Sequence, residues 1–329
     1  MKKLVFGIDI GGINTAFGLV DEKGDIFAES VISTKAYPKF SDYPRYIKDL
    51  ADAMKALMDS VNFDFDLVGI GVGAPNANYY KGTVEMPANL WKYSTPDEGK
   101  EEERNFNFAK DLGAYFGNVP VYITNDANAA TIGEMVYGGA KGMKDFIMVT
   151  LGTGVGSGFV ANGEMIYGHD GFAGELGHVI SRRHNGRQCG CGRCGCLETY
   201  CSATGVARTA KEKIDCTSEP SLLRDIEGEI TSKDVYDAAI RGDKVAQEVF
   251  TFTGSILGEA LADFIAFSAP EAIILFGGLT KAGDLIMKPT LEAMEANVLN
   301  IWKGKTKLLV SELKDSDAAV LGASALAWG

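Results

Sequence analysis

Short apolar runs separated by turn residues open the chain. Residues 4–9, 16–20 and 26–30 read as three strands, the first two joined by a glycine turn and the last two by Asp21 to Gly24. The stretch 44–61 then changes period: Tyr46, Leu50, Ala53, Met54 and Leu57 recur at helical spacing, and an apolar strand follows at 67–73. Residues 93–105 are charged and contain Pro and Gly, so they read as a surface loop leading into a helix at 108–116. A strand at 119–124 and a helix at 127–137 come next. The opening pattern then returns: an apolar strand at 146–151, a glycine turn, a strand at 158–161, the turn Asn162-Gly163, and a further strand from 165. This is an internal repeat at an offset of roughly 140 residues, and it predicts two similar lobes. Helices are expected at 203–214, 232–241 and 244–267, then a buried strand at 272–276 ending in Gly277-Gly278 and a final apolar helix at 318–328. Strands alternating with helices make this an α/β protein.

A chain of 329 residues, 46% of them hydrophobic, can fill two packed domains, which implies a cleft. With 32 Lys and Arg against 44 Asp and Glu, its net charge is −12 and it offers no basic face for a phosphate backbone, which argues against nucleic acid as a partner. The first apolar run breaks at Asp9, too early for a signal peptide, and no stretch has the roughly eighteen uninterrupted apolar residues of a membrane helix. A cytoplasmic location is expected. Five of the six cysteines lie between Cys189 and Cys201, and the three histidines, His169, His178 and His184, fall just before them; such clustering favours a metal over disulfides.

Four motifs can carry chemistry. Asp9-Ile10-Gly11-Gly12 ends the first strand, where backbone N–H groups can approach a polyphosphate and Asp9 can hold Mg²⁺ through water; a tight turn with a surface Asp explains it equally well. The run from Leu151 through Gly152, Thr153, Gly154 and Gly156 to Gly158 occupies the corresponding turn of the second repeat, with Thr153 as a donor to phosphate. Neither is a Walker loop, since no Gly-Lys-Ser/Thr follows, and each turn leads into a strand, unlike a Rossmann fingerprint. Asn125-Asp126-Ala127-Asn128 opens a helix, where Asp126 can act as a general base or cap the helix. The most specific motif joins Glu175-Leu176-Gly177-His178 to the cysteine run from Cys189 to Cys196 and Glu198. His178, Cys189, Cys191 and Cys196 form a Cys₃His set suited to structural Zn²⁺, with Cys194 or His184 as alternative ligands; Cys201 and Cys216 read as ordinary buried thiols.

These motifs, in this order, resemble the ROK family of bacterial sugar kinases and sugar-responsive repressors, in the actin-like ATPase superfamily. The resemblance runs through nearly the whole chain, and Cys189 to Glu198 matches the pattern C-x-C-G-x-x-G-C-x-E at every fixed position. It implies a two-lobed, ribonuclease H-like fold: a smaller lobe over 1–122 with residues 316–329 packed back on it, and a larger lobe over 123–315 carrying a zinc loop at 174–198. It further implies ATP phosphates held by Gly11, Gly12, Gly152, Thr153 and Gly154, adenosine near Gly277 and Gly278, and Asp126 as catalytic base. The sugar would be held by Asn125, Asp126, Glu175, His178 and Glu198, with Gly73 and Asn89 contributing from the small lobe; Trp91 reads equally well as core. The family usually has Thr after Asp-x-Gly-Gly. Here Ile13 stands in its place, with Asn14 and Thr15 as possible substitutes.

The implied reaction is ATP-dependent phosphorylation of a hexose at its 6-hydroxyl, glucose first, with N-acetylglucosamine, N-acetylmannosamine, fructose or allose as alternatives. A dimer, or a dimer of dimers, goes with the resemblance. A repressor is disfavoured because only three residues precede Leu4 and the charge is acidic. A chaperone-like or filament ATPase is disfavoured by the cysteine module.

Overall fold

The computed structural model describes residues 1–87, 90–92, 105–313 and 315–328. Asn89 and residues 93–104 of the expected loop lie outside these. The chain forms two compact units: Met1–Gly142 with Met165–Ala173 and Glu312–Gly329, and Met143–Glu164 with Gly174–Ser311.

In the first unit, β1 (Lys2–Ile10), β2 (Asn14–Val20) and β3 (Ile26–Ser33) form the expected antiparallel meander. After α1 (Tyr43–Ser60), strand β4 (Phe65–Gly73) pairs parallel to β1. The short strands β5 (Ala77–Asn78), β6 (Thr83–Glu85) and β7 (Asn105–Phe106) make a separate small sheet, then come α2 (Phe108–Gly113), β8 (Val121–Thr124) and α3 (Asp126–Tyr137). The main sheet runs β3-β2-β1-β4-β8. Its period of two sends Leu4, Phe6, Ile8 and Ile10 into a core with Tyr46, Ile47, Leu50 and Met54 of α1. Trp91 belongs to that core, its ring 4.9 Å from Tyr43 and 4.8 Å from Phe106. Full burial of each such side chain contributes about 1.5–3 kcal/mol, so α1 is held by packing more than by propensity.

The opposite face of β1 is shaped by absent side chains. A Cβ on Gly7 would lie 2.0 Å from the Val320 carbonyl oxygen, and one on Gly71 would lie 1.9 Å from that of Ala323. The C-terminal helix, Asp315–Ala325, therefore seats directly on the sheet backbone. Segment 123–142, placed by the sequence with the larger lobe, packs within the first unit, because β8 pairs with β4 and α3 lies against the C-terminal helix through Gly133 and Gly322.

The second unit repeats the design. β9 (Phe146–Leu151), β10 (Val155–Ala161) and β11 (Glu164–Met165) form its meander. There follow α4 (Glu198–Cys201), α5 (Ala203–Cys216), α6 (Ser232–Ile240), α7 (Lys244–Ser268), β12 (Ala272–Phe276), α8 (Asp284–Asn297) and β13 (Lys307–Val310). The sheet order β11-β10-β9-β12-β13 matches that of the first unit position for position. Helix α7 is long and apolar enough to span a membrane by length and composition, but 67% of its most apolar window is buried, as befits a core helix. Gly258 on α7 lets α8 approach to where a Cβ would be 2.3 Å from the Thr290 carbonyl oxygen. Cys201 is buried as expected; Cys216, at the end of α5, is exposed.

Candidate functional site

In the first unit the register brings three strand ends together. Asp9 pairs with Gly73, and Gly73 with Thr124, so Asp9 and the start of α3 share the carboxyl edge of the sheet, where ligands of α/β proteins bind. Gly73 keeps them close: a Cβ there would meet Ala129 at 3.1 Å, the Asp126 Cα at 3.6 Å and Asp9 Oδ1 at 3.9 Å. Asn125 is the N-cap of α3, its Oδ1 accepting from the Ala127 N–H at 2.9 Å. Asp126 is thus the first residue inside the helix, with Oδ1 taking the same N–H at 2.8 Å. The capping role belongs to its neighbour.

Both carboxyls are pushed up. Asp9 is raised to about 6, first by burial and then by the negative charge of Asp126. Burial of the carboxyl raises Asp126 as well, against the hydrogen bond from Ala127 that favours its charged form, although the residue as a whole is exposed. Two crowded acids at a strand edge have the chemistry of a divalent-cation site.

The first glycine hairpin departs from expectation. Ile10 pairs with Thr15, so residues 11–14 form the turn, closed by the Gly11 N–H to the Asn14 carbonyl at 2.9 Å. Ile13 stands at its tip, 68% exposed. Thr15 does not replace the missing hydroxyl. It is the first residue of β2 paired with β1, fully buried, with Oγ1 2.8 Å from both Thr34 Oγ1 and the Tyr46 hydroxyl.

In the second unit the hairpin is one residue shorter, since Leu151 pairs with Val155. Gly152 and Thr153 are exposed at the tip. The turn is held from α5, where the Ala203 N–H donates to the Gly152 carbonyl at 2.8 Å and the Thr204 hydroxyl to the Thr153 carbonyl at 3.0 Å. Gly277, with φ 104°, lies against the end of β9, where a Cβ would be 2.8 Å from the Leu151 carbonyl oxygen. The Gly277-Gly278 end of β12 is therefore brought beside the hairpin, as expected. A Cβ on Gly154 would come 2.7 Å from Glu198 Oε2.

The cysteine loop converges on the same hairpin. Gly177 passes under Val155, with no room for a Cβ, and fixes the 3₁₀ turn Leu176–His178 that carries the histidine, with Glu175 exposed before it. The ligand atoms of His178, Cys189, Cys191 and Cys196 all lie within 4.8 Å of one another. A tetrahedral zinc with bonds near 2.0–2.3 Å needs ligand separations of about 3.5–3.8 Å. Cys191 Sγ is 3.6 Å from Cys196 Sγ, and Cys189 Sγ is 3.8 Å from His178 Nδ1, so the set fits such an ion. Cys194 turns away to Gln188 Oε1 at 3.1 Å, and neither it nor exposed His184 joins the cluster.

Two arginines that carried no signal from spacing support this loop. Burial raises the Cys191 thiol, but the backbone N–H and side chain of Arg193 outweigh it and hold the thiol at about 6; the same side chain bonds the His178 carbonyl at 2.7 Å. Arg187 is buried over the Tyr200 ring at 4.6 Å. It bonds Glu212 at 3.1 Å, the Thr199 carbonyl at 2.8 Å and Thr209 Oγ1 at 2.9 Å. A lone Arg in a glycine-rich loop looks like any surface cation until the fold is known.

The ROK family model matches residues 5–329. The chain belongs to the ROK family. This member is 35% identical to a glucokinase of Halalkalibacterium halodurans over 96% of its own length and 92% of that protein. A crystal structure of a ROK family glucokinase from Streptomyces griseus, in complex with glucose and AMPPNP, is 30% identical with a TM-score of 0.75, covering 98% of each chain. Similarity extends to a xylose repressor of Bacillus spizizenii, 27% identical over 97% of this chain and 76% of that protein. The ROK member therefore has the actin-like ATPase fold that the family resemblance implied.

Proposed function

We propose that this ROK protein is an ATP-dependent hexose kinase that phosphorylates glucose at its 6-hydroxyl. The observation that carries the reading is Asp126. It stands on the first turn of a helix at the carboxyl edge of a sheet, has one oxygen anchored by a backbone N–H, and has its proton affinity raised by burial. A raised carboxylate is a stronger base, and a base aligned with a sugar hydroxyl is what phosphoryl transfer asks of the protein.

In this reading the sugar oxygen attacks the γ-phosphorus as its proton passes to Asp126. The bond from phosphorus to the bridging oxygen breaks, and ADP leaves. Asn125, with Oδ1 occupied at the cap, offers its amide Nδ2 to the sugar. Glu175, Glu198 and the free ring nitrogen of His178 supply further sugar contacts, with Gly73 and Asn89 beside them. Gly11, Gly12, Gly152 and Thr153 take the phosphates, Gly154 assists through its backbone, and Gly277 and Gly278 lie along adenosine. Asp9 holds Mg²⁺, which neutralises charge on the phosphates when bound. His178, Cys189, Cys191 and Cys196 would hold Zn²⁺, which would order the loop; with one ring nitrogen so engaged, His178 would offer the other as a donor. The cytoplasm supplies both ATP and reduced thiols.

An ADP-coupled assay across hexoses and N-acetylhexosamines tests this. Glucose-dependent ADP release with the largest kcat/KM for glucose is expected. A clear preference for an N-acetylhexosamine or fructose would move the substrate, and ATP hydrolysis indifferent to every sugar would remove the kinase reading. The xylose repressor likeness makes DNA the second possibility; a charge of −12 opposes it, and a gel shift at physiological salt would restore it.

A further inference from the structure

Three tyrosines gather at the sheet edge that carries Asp126. Asn78, wholly buried at the end of β5, accepts the N–H groups of Tyr80 and Lys81 on Oδ1 at 3.1 and 3.2 Å and donates from Nδ2 to the Asp170 carbonyl at 2.7 Å. It thereby fixes the turn after β5 and fastens to it the segment Met165–Ala173, which packs within the first unit. Gly171, with φ 91°, completes the seat, since a Cβ there would lie 2.8 Å from the same Oδ1. The Tyr79 and Tyr167 rings stack with centroids 4.0 Å apart and planes within 3° of parallel, and Tyr80 stands edge-on to them at 5.7 and 6.1 Å. Tyr167 faces the side chain of Thr124, the residue just before Asn125 and Asp126, and the Thr124 carbonyl accepts from the Ala74 N–H at 3.0 Å on the way to β5. Stacking on Tyr167 accounts for Tyr79. It does not account for Tyr80, which is held in a fixed turn yet is 60% exposed.

We propose that Tyr79, Tyr80 and Tyr167 form a second sugar subsite beside the one served by Asp126, holding a further pyranose ring linked to the hexose that is phosphorylated. The inference rests on the kinase reading given above and extends its substrates from free hexoses to disaccharides. An aromatic face carries partial negative charge and attracts the C–H groups that line one face of a pyranose. Tyrosine adds a hydroxyl for the polar rim, and with few rotamers to lose it binds at low entropic cost. His169 and Asp170, exposed on the same segment, bring further polar groups to the second ring. In a 1→4-linked disaccharide both rings keep a 6-hydroxyl, so one can present it to Asp126 while the other lies against the tyrosines. The chemical step is unchanged. The 6-oxygen bonds to the γ-phosphorus as its proton passes to Asp126, the bond from phosphorus to the bridging oxygen breaks, and the products are ADP and a disaccharide 6-phosphate.

The test is the ADP-coupled assay with glucose, cellobiose and maltose on the full-length protein and on Tyr80→Ala, with mass spectrometry to show a single phosphoryl group on the intact disaccharide. At least one disaccharide should be turned over with kcat/KM within about tenfold of that for glucose, and Tyr80→Ala should lower the disaccharide value about tenfold while glucose stays within about twofold. Phosphorylation of glucose but of neither disaccharide overturns the proposal, as does an equal loss for glucose and disaccharide in Tyr80→Ala. If no sugar supports ADP release, the kinase reading itself has failed and the subsite falls with it, a result distinct from the first two. Should Tyr80→Ala not fold, Tyr80→Leu and Tyr80→Phe decide: leucine keeps bulk without a ring face and should lose the disaccharide preference, whereas phenylalanine keeps the face and should retain most of it. Equal disaccharide activity in these two variants overturns the stacking role.

Discussion

The two glycine hairpins occupy the same place in two sheets of identical strand order, yet they are built to different ends. The first has four turn residues, an exposed Ile13 at its tip, and an acid pair, Asp9 and Asp126, at the strand edge beside it. The second has three, carries Thr153 at its tip, and is braced by α5 and Glu198. One extra residue decides the fate of the hydroxyl. In the longer turn the threonine falls on the first position of β2 that pairs with β1, and it is buried; in the shorter one it stays at the tip. Duplication has kept the scaffold and divided the side chains, an acid pair in one unit and an exposed threonine with the Cys₃His cluster in the other.

The largest effect is expected at the acid pair. Asp126→Asn should lower kcat by about 10²–10⁴-fold while glucose affinity changes little, measured by coupled assay and by equilibrium titration of glucose. Retained turnover would assign the base elsewhere.

Asp9 should separate stability from activity. Its folded pKa of about 6 lies above the ordinary 3.8, so between these values the folded chain binds more protons than the unfolded one. Stability therefore falls as pH rises from 4 to 6, and the full penalty persists above 6. Asp9→Asn should flatten urea unfolding curves between pH 4 and 7.5 and stabilise the protein at pH 7.5 by at most about 3 kcal/mol, with loss of activity. Unchanged pH dependence would show that folding does not raise the Asp9 pKa.

The hairpins should respond oppositely to the loss of a hydroxyl. Thr153→Val is expected to lower kcat/KM for ATP about tenfold with no change in melting temperature, whereas Thr15→Val should cost about 1 kcal/mol of stability and leave kcat/KM for ATP alone. The smallest effect is expected at the first tip: Ile13→Thr should shift stability by less than about 0.5 kcal/mol and ATP affinity by under about twofold. A tenfold gain in ATP affinity would mean that a hydroxyl at this tip reaches the phosphates.

Periodicity and turn residues made the meanders, their repetition and most helices legible, because each of those signals is local. The Cys₃His ligands were legible for the same reason: their spacing is short and their chemistry narrow. Thr15 was not, since its direction depends on counting ladder pairs across a turn. Helix α8 was hidden by Pro289 in its interior, and the β5–β6–β7 sheet by strands only two or three residues long. The contact between Glu198 and Gly154 joins residues far apart in the chain, and only the fold shows it. The kink between Asn125 as cap and Asp126 as first helical residue is likewise a one-residue distinction that composition does not resolve.

The seat of the C-terminal helix on Gly7 and Gly71 bears on how the protein is made. Strand β1 leaves the ribosome well before Asp315–Ala325, the helix that covers one of its faces. At about 5–20 residues per second, roughly 15–60 s separate the two. The second unit has all of its sequence before the first does. The unit that begins the chain is the one that finishes folding last, with a glycine-lined apolar face open to chaperones or to other nascent chains in the interval.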